Sequence, residues 1–235
     1  MAHQFVWYFT DLPEKVVGII EDDLKDKFDT EMKDSLLYKS SINKDKRNSQ
    51  NTWVPTTHWV AGFIWHYVER ANRENFLYDL THIDGENMQY TRYGEGQYYG
   101  WHNDSSLPSH YKPSTIINGE NSIDNQDLHK QFLNKSCEHV RKLSFTLQLS
   151  HPDEYEGGNI EFKGLDGDKY IAPRKRGSII LFDSRINHRV CEIIKGERKS
   201  IVGWVLGPRW KWLKKYEKIW LCSSFSNWMD RSRIG

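Results

Sequence analysis

The order of apolar and polar positions divides the chain into a first part with helical periodicity and a longer part with strand periodicity. A short apolar run at residues 5–9 is typical of a strand. Over residues 12–28, apolar side chains recur at helical spacing, and Pro13 fits the first turn of a helix. Residues 57–75 carry a second apolar stripe and predict a second helix. The polar residues 39–51 between these segments are typical of a loop.

From residue 76 onward the apolar period shortens to two, which indicates strands. Nine short candidate strands share this pattern: 76–83, 87–94, 97–104, 142–150, 159–164, 169–173, 177–183, 188–194 and 198–206. Short strands with turns at close spacing, and no alternation of strands with helices, favour a β-sandwich or jelly roll. The sequence therefore predicts a mainly β fold with flanking helices.

We expect one structural domain with three parts. Residues 1–85 supply a strand and supporting helices, residues 86–206 form the β core, and residues 207–235 end in a helix. A polar segment at 105–140 interrupts the core and is long for a compact domain, which is typical of a lid or binding loop.

Composition narrows the class of protein. The formal net charge of +1 gives no overall case for binding nucleic acid or an acidic surface. The cysteines Cys137, Cys191 and Cys222 are odd in number and scattered, which fits a reducing compartment. The N-terminus has no basic region before its short apolar run, and no apolar run reaches the roughly 18 residues of a membrane span. We therefore expect a soluble cytoplasmic protein that does not enter a membrane.

One pair of residues suggests a metal site. His102 and Asp104 are two residues apart at the end of a candidate strand, and residues i and i+2 of a strand point to the same face. His188 follows one apolar strand and opens another, and Arg198 lies ten residues further on, inside a strand. Two histidines and one carboxylate form the facial triad of non-haem Fe(II) oxygenases. An arginine fork can hold a carboxylate through two hydrogen bonds.

Four stretches of the chain then resemble a known family. They are "QYTRYGEGQYYGWHND", "RKLSFTLQLSHPDEYEGGNIEF", "RGSIILFDSRINHRV" and "KGERKSIVGW". In this order they resemble the Fe(II)/2-oxoglutarate dioxygenases, and within them the prolyl 4-hydroxylase-like branch that includes the PKHD-type hydroxylases. The resemblance covers roughly residues 86–206.

The resemblance implies a double-stranded β-helix, or jelly roll, with Fe(II) on His102, Asp104 and His188 and with 2-oxoglutarate anchored on Arg198. It further implies ascorbate as an accessory cofactor. Three more residues are expected around the co-substrate: Tyr93, Gln148 and Trp204. Gln148 departs from the tyrosine of animal relatives. Asp104 favours hydroxylation, because halogenating members have a small residue at that position.

The substrate stays open at this stage. The resemblance favours peptidyl proline as the substrate. A second hypothesis is an enzyme that oxidises a free amino acid or a nucleobase. A third is a jelly-roll binding module without catalysis. The segment 105–140 begins beside Asp104 and offers Tyr111 and Pro113 as apolar contacts but no basic cluster. We therefore expect a peptide or protein substrate, with 2-oxoglutarate and O₂ as co-substrates. The basic, aromatic residues 209–216 could bind single-stranded nucleic acid, but an amphipathic packing helix is favoured.

Overall fold

The computed structural model describes residues 5–35, 46–105, 139–164 and 167–208. The first elements are β1 (Val6–Phe9), α1 (Glu14–Phe28), β2 (Lys33–Asp34), β3 (Arg47–Asn48), β4 (Gln50–Pro55) and α2 (Trp59–Ala71). Both predicted helices and the first strand are confirmed. Val17, Ile20 and Leu24 form the buried stripe of α1 at the expected helical spacing.

Ten further strands follow in the described part of the chain. They are β5 (Asn87–Tyr93), β6 (Tyr98–His102), β7 (His139–Gln148), β8 (Tyr155–Gly157), β9 (Ile160–Lys163), β10 (Lys169–Ile171), β11 (Ile179–Asp183), β12 (His188–Val190), β13 (Ile193–Gly196) and β14 (Arg198–Pro208). A major sheet has the order β1-β11-β7-β14-β5-β4-β2, a minor sheet has the order β10-β9-β12-β6-β3, and β13 pairs with β8. All these pairings are antiparallel, which confirms the predicted mainly β fold.

The alternation of side chains along β7 shows how the major sheet separates two environments. Leu143 and Leu147 belong to the main apolar core, which also contains the buried stripes of α1 and α2. Ser144, Thr146 and Gln148 occupy the alternate positions and therefore point to the other face. The helices thus support one face of the major sheet, while its polar face is turned toward a cavity shared with the minor sheet.

The predicted strand at 76–83 is wrong. A π-helical turn, Asn72–Phe76, follows α2, and Leu77 adopts a left-handed conformation with φ of 55°. The Asn72 side chain accepts a hydrogen bond from the Tyr78 N–H (2.8 Å) and donates one to the Tyr78 carbonyl (2.9 Å). These bonds replace strand pairing, and only Ile83 forms an isolated bridge, to Val205.

The predicted loop at 39–51 is wrong where the structure describes it. β3 pairs with β6 and so belongs to the minor sheet, whereas β4 pairs with β5 in the major sheet. The chain therefore changes sheets within a few residues, and strands this short leave no periodic pattern for sequence reasoning.

Several predictions fall on other parts of the chain. Residues 106–138 of the expected lid, the expected C-terminal helix from residue 209, and Cys137 and Cys222 lie outside the described residues. In the described ranges, the helices are too short or too polar to cross a membrane.

Candidate active site

His102, Asp104 and His188 meet where the end of β6 pairs with the start of β12. His102 and His188 are direct cross-strand partners, and a register shift follows toward the Tyr99–Val190 pair. Asp104 lies beyond the strand, in a bend, where its N–H donates to the Ser184 carbonyl (2.9 Å). The expectation that His102 and Asp104 share one strand face is therefore wrong in detail, since the bend brings the carboxylate to the imidazole.

The three side chains are close enough to share one metal ion. The Nε2 atom of His102 lies 3.7 Å from Oδ1 of Asp104, and the Nε2 atom of His188 lies 3.6 Å from Oδ2. One donor atom from each residue falls within 4.8 Å of the others. Elsewhere in the described ranges, no second group of three such residues has this spacing.

Backbone carbonyls orient both imidazole rings. Nδ1 of His102 lies 2.8 Å from the Gly100 carbonyl oxygen, and Nδ1 of His188 lies 3.1 Å from that of Ile186. Because a carbonyl oxygen only accepts hydrogen bonds, each Nδ1 carries the hydrogen. The lone pair of each Nε2 is thereby directed toward the shared centre, as metal ligation requires.

The protonation states also suit a cation. Burial, followed by the proximity of His188, lowers the pKa of His102 to about 4. Burial alone would raise the pKa of Asp104, but the neighbouring imidazoles and a hydrogen bond from Ser144 outweigh it and lower that pKa. A neutral imidazole beside an ionised carboxylate is the state in which these groups bind a metal.

Ser144 holds the carboxylate of Asp104 from the opposite sheet. Its hydroxyl donates to Oδ2 of Asp104 at 2.6 Å and lies 3.0 Å from the hydroxyl of Ser184. This contact fixes the rotamer of Asp104 before any ion arrives.

We expect the change Ser144→Ala to weaken divalent-metal affinity by about 10- to 100-fold, because partners that orient ligands contribute on that scale. Metal titration of the purified protein measures this loss. Ser178→Ala is the matched control, because Ser178 is fully buried, its hydroxyl has no partner in the described ranges and it lies outside the cavity lining. Equal metal affinity in both variants and the wild type would remove Ser144 from this role.

Arg198 lies in the same cavity as the three metal-binding candidates. Its side chain is 1% exposed, and burial lowers its pKa, although a guanidinium stays charged. Nη2 donates to Oε1 of Gln148 (2.8 Å) and Nη1 donates to Oγ of Ser200 (3.4 Å), whereas Nε has no hydrogen-bond partner within the described part of the chain. No carboxylate of the described residues pairs with it, so an anionic ligand entering the cavity would fit this unsatisfied charge.

The other expected co-substrate residues divide into two groups. Tyr93 and Trp204 line the cavity, and the Tyr93 ring centroid lies 5.7 Å from Cζ of Arg198. Gln148 does not line the cavity but contacts Arg198. Tyr99 also lines the cavity and stacks on His102 at 3.6 Å between ring centroids.

Four polar residues in or beside the cavity were missed by sequence reasoning: Arg47, Gln89, Ser144 and Thr146. Arg47 sits on a two-residue strand, donates to Gln89 (3.1 Å) and stacks over Tyr99. No sequence signal could have found it. Ser144 and Thr146 alternate with apolar residues before Gln148, and that pattern could have revealed them.

Comparison with solved structures supports the fold. A prolyl-4-hydroxylase from Pseudomonas putida aligns with a TM-score of 0.61 at 16% identity, over 88% of this chain and 95% of that protein. A prolyl hydroxylase from Trichoplax adhaerens, solved with a hypoxia inducible factor peptide fragment, aligns with a TM-score of 0.64 at 12% identity, over 86% and 84%. At this level of identity the likeness shows a shared jelly-roll fold.

Curated relatives match part of their own length. A PKHD-type hydroxylase of Synechococcus elongatus is 30% identical over 159 residues, which is 66% of this chain and 60% of that protein. Across the first relatives, the matched region spans between 28% and 60% of their length. The model of the 2OG-Fe(II) oxygenase superfamily matches residues 88–206, just over half of the 235-residue chain. The chain therefore belongs to the 2OG-Fe(II) oxygenase superfamily.

Proposed function

We propose that this protein is an Fe(II)- and 2-oxoglutarate-dependent dioxygenase that hydroxylates an unactivated C–H bond. One observation supports the proposal: the three metal-binding candidates line the same cavity as a buried arginine that pairs with no carboxylate of the described residues. A binding module without catalysis would have no use for both features together. The superfamily implies Fe(II) and 2-oxoglutarate, and the charges of the cavity fit both.

Each residue has a distinct task in this proposal. His102, Asp104 and His188 would hold iron on one side, which leaves the opposite positions for co-substrate and O₂. Arg198 would hold the distal carboxylate of 2-oxoglutarate, and Tyr93 would close the cavity beside it. When bound, iron and 2-oxoglutarate supply the oxidative chemistry, in which O₂ converts 2-oxoglutarate to succinate and CO₂ and delivers one oxygen atom to the substrate.

The favoured substrate is a prolyl residue in a peptide. This rests on the names of the PKHD-type relatives and of the prolyl hydroxylases that share the fold. A free amino acid or a nucleobase is the enzymatic alternative. The expected lid at 105–140, a requirement for ascorbate and a cytoplasmic location stay predictions.

We expect proline-containing peptides to stimulate succinate release and to gain the mass of one oxygen atom. The assay compares such peptides with free proline and single-stranded oligonucleotides, using mass spectrometry for products. Asp104→Ala is the control, because it should abolish both signals. Stimulation by oligonucleotides alone would overturn the hypothesis of a peptide substrate. Stimulation by free proline alone would favour a free amino acid as the substrate.

A further inference from the structure

Thr146 carries a buried hydroxyl that has no hydrogen-bond partner among the described residues. The residue is 4% exposed, its Oγ1 atom has no hydrogen-bond partner, and it lines the cavity that holds the metal-binding candidates. A buried polar group without a partner is costly and calls for an explanation.

The neighbours of Thr146 within the sheet cannot supply a partner. Its cross-strand partners are Ile180 on β11 and Val202 on β14, and both have apolar side chains. Since its side chain points toward the cavity face of β7, the hydroxyl is placed to take a partner from the cavity.

The position of Thr146 along β7 relates it to both ends of the site. Ser144, Thr146 and Gln148 occupy one face of the strand in successive rows about 7 Å apart. Ser144 donates to Asp104 at the metal end, whereas Gln148 accepts from Arg198 at the other end. Thr146 therefore occupies the row between the metal ligands and the arginine.

The guanidinium of Arg198 lies in the row next to Thr146. Its contacts are Gln148 and Ser200, which are direct cross-strand partners, and the following pair along these strands is Thr146 and Val202. A ligand that binds the metal at one end and places a carboxylate on Arg198 at the other end would pass the row of Thr146. The hydroxyl and the unsatisfied Nε of Arg198 are both donors without acceptors, and such a carboxylate supplies acceptors.

We propose that Thr146 is a co-substrate-binding residue that donates a hydrogen bond to the distal carboxylate of 2-oxoglutarate, alongside Arg198. This inference rests on the proposed function. Gln148 then acts behind Arg198, as a positioning residue that holds Nη2. In this way a threonine at position 146 takes the direct contact that the sequence suggested for position 148.

The test compares Thr146→Val with the matched change Thr91→Val. Thr91 is fully buried, its hydroxyl also has no partner among the described residues, and it pairs with Ser200 on β14 but lies outside the cavity lining. Anaerobic titration of the Fe(II)-loaded proteins with 2-oxoglutarate should show an affinity about 10- to 100-fold lower in Thr146→Val alone, the scale of a hydrogen bond to a charged group. Thermal unfolding of both variants without ligand should occur at or above the wild-type temperature, because each change removes an unsatisfied hydroxyl.

A second ligand locates the contact. 2-Oxopentanoate has the same five-carbon chain without the distal carboxylate, so it should bind wild type and Thr146→Val equally. A loss of affinity for both ligands would place the hydroxyl at the metal end and overturn the proposal. Wild-type affinity of Thr146→Val for 2-oxoglutarate would overturn it as well, while leaving the proposed function intact. Failure of the wild-type protein to bind 2-oxoglutarate would overturn both.

Discussion

Replacing His188 by alanine is expected to abolish high-affinity Fe(II) binding and all conversion of 2-oxoglutarate. The remaining pair, His102 and Asp104, supplies two ligands, which cannot hold iron on one face with its open positions correctly placed. His102→Ala and Asp104→Ala should have the same effect. Nε2 of each histidine lies less than 4 Å from an oxygen atom of Asp104, so the three side chains form one site. The loss of any one of them leaves that site incomplete.

The control for this prediction is His66→Ala. His66 is exposed on α2 and does not line the cavity, so its removal should leave iron affinity and turnover unchanged. Iron titration and succinate release measure both properties on the same samples. A triad variant with wild-type iron affinity and rate would show that the ligands are assigned wrongly.

Arg198→Ala is expected to lower 2-oxoglutarate affinity while iron binding survives. The change would leave the buried distal carboxylate without its partner, a loss of roughly 3–5 kcal/mol for a broken buried ion pair. At about 1.4 kcal/mol per tenfold change, this corresponds to a fall of roughly two to three and a half orders of magnitude. Arg198→Lys should recover part of the affinity, because an ammonium keeps the charge but lacks the planar fork.

Two neighbouring cations are poor substitutes for Arg198, because each already pairs with a carboxylate. Lys199 pairs with Glu21 at 2.8 Å, and Arg141 pairs with Asp84 at 2.6 Å. Arg189 is the control: it adjoins His188 but pairs with Glu161 at 2.8 Å and does not line the cavity. Arg189→Ala should therefore bind 2-oxoglutarate normally. If Arg198→Ala also binds it normally, the anchor lies elsewhere.

Sequence reasoning succeeded where metal-binding or charged side chains, or apolar stripes, fall in segments with a clear strand or helix period. His102, Asp104, His188 and Arg198 could be selected because each falls at the end of a predicted strand or within one, and because each has a metal-binding or charged side chain. The structure brings these four around one cavity. The helices α1 and α2 were predictable because their apolar stripes repeat over several turns.

The rest depends on register and on side-chain hydrogen bonds, which leave weak traces in a sequence. Thr146 becomes significant only when β7 is placed between β11 and β14, so that its apolar neighbours are known. The segment 76–83 has the alternation of a strand, but the two hydrogen bonds of Asn72 with Tyr78 hold a turn there. Asp104 reaches His102 through a bend that no two-residue spacing predicts.

The measurement that most directly tests the central claim is the conversion of 2-oxoglutarate to succinate by the purified chain with and without Fe(II). We expect succinate only when Fe(II) and O₂ are both present, and none from the Asp104→Ala protein under the same conditions. Succinate formation that persists without iron or in Asp104→Ala, or no formation by the iron-loaded wild-type protein, would contradict the assignment of this cavity as a 2-oxoglutarate-dependent active site.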